Sequence, residues 1–420
     1  MMTLTTYYYE DIYQFDKITA RFLTVVFDFL LINIIFSNAF MVLRLPHVFL
    51  SFISLLRDVS IFIILFFLGL KNISIKNNVQ FLCIYLSILF FVPVFILIGN
   101  VIDGNNQARI APVIRGIWWT VRPFTLFLIL INYKKFYMHK MDLGKFLIIS
   151  SVFMFFISII FYKFLPGMIA SMRFSNRISL GNPSMQSSIF IGALIVLLDT
   201  LPFKKRDNFF CLIVLGCAVL CAISLTGIAC LAVILIAFLL EKNTHRYLIP
   251  FFIISALIIL LFVLTNDRIA TYVSYFYERI GELQTVLRKY LISHGGDSGS
   301  NSFRARERQI EGVIKTLEIS SYFFGCGDMN CTGGRFGIEN FYYALITNYG
   351  VAGVFAFVII QLKILINAVF EYKHARKITF FVFLVYLNFY STSLDLINTY
   401  SLSSIFIFVG FILYQRRKLK

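Results

Sequence analysis

Charge is what this sequence has least of. Only 14% of its 420 residues are Asp, Glu, Lys or Arg, where a soluble domain of this length carries about 25%. The shortfall argues against a water-soluble fold. The 59% of hydrophobic residues form continuous runs instead of an alternating pattern, which suits spanning helices and not the strands of a membrane barrel. The local signatures of several chemistries are also missing. There is no GxxxxGK[ST] phosphate loop, no GxSxG elbow, no HExxH and no paired CxxC. No DxD pair that could hold a metal and a nucleotide sugar occurs. The five histidines, at 47, 139, 245, 294 and 374, are scattered, which disfavours a histidine metal site. No internal repeat is visible, which counts against transporters built from repeated halves. Met1 to Arg21 is polar, with Glu10, Asp11 and Asp16 and without a basic start or an A-x-A site, so no cleaved signal peptide is expected.

What is present is about a dozen apolar stretches, each near the roughly 20 residues a span requires. They lie near 22–42, 48–70, 79–99, 111–131, 145–165, 184–201, 209–224, 226–240, 247–265, 338–365, 378–394 and 398–414, with a turn expected at Leu225-Thr226-Gly227 between two short helices. The net charge of +17 is a topology signal. Alternate short loops are basic: Lys71…Lys76, Lys134-Lys135…Lys140, Lys204-Lys205-Arg206, Lys242…Arg246, Lys373…Lys377 and the tail Arg416…Lys420. This is the positive-inside pattern, and it puts both termini in the cytoplasm and removes the case for nucleic acid as a partner. The expected fold is all-α: a polytopic transmembrane helix bundle of about 12 spans. It divides into an N-terminal transmembrane bundle (1–265), a large outer loop (266–337) and C-terminal transmembrane helices (338–420). Cys83, Cys211, Cys217, Cys221 and Cys230 fall in spans and read as packing residues. Cys326 and Cys331 fall on the outer side, where a disulfide and two free thiols are both open readings.

The polar segment Asn266 to Ile338 is too long to be a simple connector. Apolar residues at Ile269, Tyr272, Val273, Phe276, Ile280, Leu283, Leu287 and Leu291 predict an amphipathic helix. The stretch His294 to Asn301 breaks it, and a second helix, capped by Asn301 or Ser302, carries Ile310, Val313, Ile314 and Leu317.

The two faces use different cations. Inner loops favour lysine, whereas the outer short loops carry Arg44, Arg109, Arg173 and Arg177, and the large loop adds Arg268, Arg279, Arg288, Arg304, Arg306, Arg308 and Arg335. A guanidinium grips phosphate as a planar fork, which an ammonium cannot do. The set therefore points to a phosphate-bearing ligand on the outer face. For each arginine singly, a salt bridge is the stronger reading, as Arg304–Glu307 and Arg308–Glu311 could make at i,i+3 spacing. Arg173 and Arg177, like Arg304 and Arg308, are four apart, and two such pairs could embrace a pyrophosphate. Charges inside spans, Asp28, Arg57, Asp58, Arg115, Arg122, Asp199 and Asp395, are expensive and usually meaningful. Arg57 and Asp58 are candidates to line a polar groove, whereas Asp199 reads as a structural group at an inner helix end.

Three patches, in order, resemble the polysaccharide polymerase and O-antigen ligase superfamily of bacterial inner membranes. The first runs Arg173-Phe-Ser-Asn-Arg-Ile-Ser-Leu-Gly181-Asn-Pro-Ser184, an arginine followed by a Gly-Asn-Pro turn that opens a helix. The second is Ser224-Leu-Thr-Gly227. The third has an arginine-led helix from Arg304, a Gly325-Cys-Gly327 turn, and Glu339-Asn340-Phe-Tyr-Tyr-Ala-Leu-Ile-Thr-Asn-Tyr-Gly350-Val-Ala-Gly353. The resemblance covers roughly residues 170–365. Two departures stand out. Ligases of the superfamily usually have a histidine where this chain has Glu339, and the arginine often found after Ser/Thr-Gly is replaced by Ile228-Ala229. The first departure favours a repeat-unit polymerase of the O-antigen polymerase family over a ligase.

The resemblance implies a metal-independent glycosyltransferase, without a cofactor, in the Gram-negative inner membrane and with its large loop in the periplasm. Its partners would be the lipid bilayer, undecaprenyl-pyrophosphate-linked oligosaccharides and, as an open point, a chain-length regulator. Carried onto matching positions, it makes Glu339 and Arg304 catalytic. Arg173, Arg177, Arg306, Arg308, Asn182 and Asn340 would then bind pyrophosphate and glycan. The competing readings are an O-antigen ligase acting on lipid A-core and a lipid-linked oligosaccharide flippase.

Overall fold

The computed structural model describes residues 15–42, 46–70, 125–139, 142–165, 178–239, 341–375, 377–391 and 400–418, with short pieces at 281, 311–312, 322–323 and 325. All regular structure among these residues is helical. Nine helices carry the description: α1 Lys17–Val42, α2 His47–Leu70, α3 Leu143–Phe164, α4 Pro183–Thr200, α5 Lys205–Cys221, α6 Leu225–Leu239, α7 Phe341–Ala375, α8 Thr379–Ser391 and α9 Tyr400–Lys418. Residues 125–132 are also helical and run into a 3-10 turn at Tyr133–Lys135. Among the described residues, five stretches are long and apolar enough to cross a membrane: Lys17–Phe36, Val48–Gly69, Leu143–Phe164, Pro183–Thr200 and Gly353–His374. Three shorter apolar helices, Leu225–Phe238, Thr379–Ser391 and Ser403–Gln415, pack with them. The chain is a membrane-embedded helix bundle. The spans expected at 79–99 and 247–265, and most of the large loop, lie outside the described residues, though Gly281 and Glu311–Gly312 are helical within the two amphipathic stretches.

Local chemistry sets the helix ends. Asp16 Oδ2 accepts from Thr19 N at 3.2 Å to start α1. Asp142 accepts from Gly144 N to start α3, and Asn182 caps α4 with Pro183 in its first turn, the position proline favours. Between α5 and α6 the chain turns at Ala222–Ser224, with Ile223 at φ 45°, slightly earlier than Leu225-Thr226-Gly227. The reason is Ser224, whose hydroxyl accepts from Gly227 N at 3.3 Å and whose carbonyl accepts from Ile228 N.

Helix α4 is the axis of the bundle. It touches α1, α3, α5, α6, α8 and α9, and 78% of its spanning window is buried. Lipid tails are as apolar as leucine side chains, so in a membrane such packing rests on close fit and interhelical hydrogen bonds. Gly192 provides the fit: a Cβ there would lie 2.8 Å from Val409 of α9 and 3.2 Å from the Tyr386 hydroxyl of α8. By contrast, α2 and the second part of α7 show large apolar side chains outward, among them Phe52, Phe62, Phe355 and Ile366. Such faces suit contact with lipid chains.

The two ends of the bundle differ. At one end Lys377 pairs with Asp199 at 2.8 Å, Tyr133 meets Gln415, and Lys145 lies over the Phe203 ring. The basic turns at 134–135 and 204–206, with Lys377, lie next to these contacts. Asp199 also accepts from Thr379 Oγ1 at 3.0 Å, which makes it the structural group expected. Asp28 likewise has structural partners, Tyr137 and His139, which tie the 136–139 segment to α1. Arg57, 5% exposed, bonds its neighbour Asp58 at 3.0 Å. Cys217 and Cys230 are buried, and Cys211 and Cys221 half-buried, as packing residues.

Helix α7 departs from expectation. The hydropathy pattern predicts one span over 338–365, but the chain reverses within it at Gly350 (φ 60°, ψ −157°). An unbroken helix would put Phe341 and Phe357 roughly 24 Å apart, yet their ring centroids are 4.7 Å apart. Residues 341–349 therefore fold back as a half-helix against the start of the spanning stretch Gly353–His374. Asn388 of α8 fixes both arms, its Oδ1 accepting from Tyr342 OH and from Gln361 Nε2.

Candidate functional site

The end of the bundle opposite the basic turns holds a node of buried polar groups around the head of α4. The α4 head carries Ser184, Gln186, Ser187 and Ser188 in sequence, so its first turns project polar groups to several neighbours at once. Ser184 Oγ lies 3.1 Å from Ser224 Oγ at the start of α6. Ser187 Oγ donates to Ser184 O at 3.0 Å and accepts from Tyr390 OH of α8 at 2.9 Å. Tyr386 OH, one turn along α8, donates to Ser188 O at 2.7 Å. Close packing locks the group together, since a Cβ on Gly227 would come within 2.7 Å of both Cβ and Oγ of Ser187.

On the other flank Gln186, wholly buried, holds the turn that leads into α4. Its Oε1 accepts from Leu180 N at 2.8 Å and lies against Ser179 Oγ. Its Nε2 donates to Ser158 Oγ of α3 at 2.7 Å. The turn 178–182, which directly follows Arg177, is thereby fixed to two helices. The positive end of α4 opens beside it, where Asn182 and Ser184 are half-buried while Gln186, Ser187 and Ser188 are not exposed.

Of the residues predicted from sequence, Asn182 is the one described. Its Oδ1 accepts from Ser184 N at 3.0 Å, so it shapes the turn. Arg173, Arg177, Arg304, Arg306, Arg308, Glu339 and Asn340 lie outside the described residues. Two of the three sequence patches nevertheless come together, because Ser184 of the first touches Ser224 of the second. Within the third, the Gly325 turn lies on the Asn348–Gly350 backbone, where an added Cβ would meet Asn348 O at 2.5 Å. Sequence reasoning missed Gln186, Ser187, Tyr390 and Asn388. The signal available was a neutral polar residue inside an apolar run, which is as informative in a membrane as a charge. Among the described residues no three His, Cys, Asp or Glu side chains gather as a metal site requires. No family model and no curated protein matches the chain.

Proposed function

We propose that this chain is a bacterial inner-membrane glycosyltransferase that polymerises undecaprenyl-pyrophosphate-linked oligosaccharide repeat units into O-antigen or a related surface polysaccharide. The observation that carries this reading is the Ser184–Ser224 contact. It joins two sequence patches that resemble that superfamily, at the end of the bundle remote from the basic turns. By the positive-inside rule the basic end faces the cytoplasm, so the node faces the periplasm, where lipid-linked units are joined.

The chemistry assigned to the residues is a displacement. The acceptor sugar's hydroxyl oxygen forms a bond to the anomeric carbon of the growing chain, and the bond from that carbon to the pyrophosphate oxygen breaks. Glu339 takes the hydroxyl proton as general base. The departing pyrophosphate carries developing negative charge, which Arg173, Arg177 and Arg304 stabilise, with Arg306, Arg308 and Asn340 completing the binding of phosphate and glycan. Asn182 contributes by setting the turn that presents the positive end of α4.

Deletion of the gene tests the reading. Loss of a polymerase leaves lipid A-core capped with a single repeat unit. Loss of a ligase or flippase leaves bare core, and that result would overturn the proposal.

A further inference from the structure

The reversal in α7 leaves one buried acceptor unused. Asn348, 4% exposed, stands two residues before Gly350. Its Oδ1 is buried and has no hydrogen-bond partner. Asn33, Thr200 and Ser404 also hold buried oxygens without partners, but none of them lies beside a break inside a helix. In membrane proteins a broken helix is tolerated where it is buried in protein or lines a cavity, and such breaks mark binding sites.

The surroundings of Asn348 define what could bind. The half-helix 341–349 ends here, so its last carbonyls carry partial negative charge. Thr347 Oγ1 is turned back onto Tyr343 O and Ala344 O of its own helix. The main chain of Asn348 is covered by Gly325, whose added Cβ would lie 2.5 Å from Asn348 O. What remains is a neutral acceptor at the negative end of a helix. Phosphate is repelled by such a place, and a hydrogen-bond donor fits it.

We infer that Asn348 belongs to the acceptor-glycan subsite, where its Oδ1 accepts a hydrogen bond from a hydroxyl of the incoming repeat unit. The inference rests on the polymerase reading, and it divides the site. Arginines hold the pyrophosphate of the donor, and Asn348 reads the sugar of the acceptor.

The test uses the full chain in nanodiscs with two lipid-linked preparations from the host, single repeat units as acceptor and extended chains as donor. Initial rates are measured while each is varied. Asn348→Leu should raise the half-saturating acceptor concentration about five- to tenfold, the worth of one hydrogen bond, and leave that of the donor unchanged. Because Oδ1 has no partner in the free protein, Asn348→Leu should melt no lower than wild type without substrate. A lower melting temperature would assign Asn348 a structural role and overturn the inference. An unchanged acceptor response, or a change for the donor instead, would overturn it equally. If the wild-type chain extends nothing, the polymerase reading falls and this assignment falls with it.

Discussion

Gly325 and Gly350 meet backbone to backbone, and neither position has room for a Cβ. An added Cβ at Gly350 would lie 2.3 Å from Phe323 O and 2.7 Å from Gly325 N, and one at Gly325 would lie 2.6 Å from Tyr349 N. Both residues hold positive φ, 73° and 60°, which glycine adopts without steric cost. Phe323 and Gly325 are thus seated directly on the reversal of α7.

Gly325→Ala and Gly350→Ala should each destabilise the protein by about 1–3 kcal/mol from backbone strain alone, with the clash added. The two changes break the same contact, so the double variant should cost clearly less than their sum. Melting temperatures in one detergent check this. Additive losses would mean that the two glycines do not share an interface.

The Gly227–Ser187 contact gives a sharper test. Gly227→Ala should cost about 1–3 kcal/mol by overpacking, since the new methyl meets both Cβ and Oγ of Ser187. Ser187→Gly in the same chain should recover part of the loss. Ser187→Ala should recover less, because it removes the Oγ contact and keeps the Cβ. Equal rescue by both would show that only the hydroxyl is crowded.

Gln186 and Tyr390 should differ in cost although both lie in the node. Tyr390→Phe removes one hydroxyl from Ser187, worth about 1 kcal/mol. Gln186→Leu leaves Leu180 N without its partner and takes a donor from Ser158 Oγ, which keeps its bond to Met154 O; a buried group left unpaired costs roughly 1–3 kcal/mol, beyond the bond lost. The ranking of the two melting temperatures decides the point, and a Gln186→Leu protein as stable as Tyr390→Phe would contradict the bonding described.

These residues also show which features the sequence could reveal. The start of α4 was legible at 184 against an observed Pro183, because Gly-Asn-Pro is a local signal that needs no tertiary context. The basic turns were legible for the same reason. The reversal at Gly350 was not, since hydropathy sums apolar residues without regard to chain direction, and 338–365 reads as one run. Asn388, which staples the two arms of α7, sits in α8 and joins residues 19 apart in sequence, a relation created only by folding. The Ser184–Ser224 contact was visible as two separate patches and became a single feature through the packing of α4 on α6.

At the basic end, alkaline pH should act through Tyr137. Burial, then the Asp28 carboxylate beside it, holds its phenol well above the usual 10.0. The folded protein therefore keeps a proton that the unfolded chain releases. That contribution is whole below pH 10 and is lost as pH rises beyond it. Burial moves Tyr133 in the same direction. Melting temperature should fall above pH 10, and Tyr137→Phe should make the fall shallower without abolishing it. Identical slopes in the two proteins would clear Tyr137 of the effect.

The arginine assignment makes the strongest functional prediction. The node anchors the turn that directly follows Arg177, through Gln186 and Asn182, and under the proposed function this turn supports one arm of the clamp. A charge-stabilising donor at a leaving group is worth about 10²–10³-fold in rate. Arg173→Ala and Arg304→Ala should each abolish long chains while protein level stays normal. Arg173→Lys should restore them only in part, because an ammonium keeps the charge and loses the planar fork. The polymer ladder on a gel, read beside an immunoblot of the membrane fraction, measures both. A normal ladder from both alanine variants removes the pyrophosphate clamp. A full ladder from Arg173→Lys keeps the charge requirement and removes the fork.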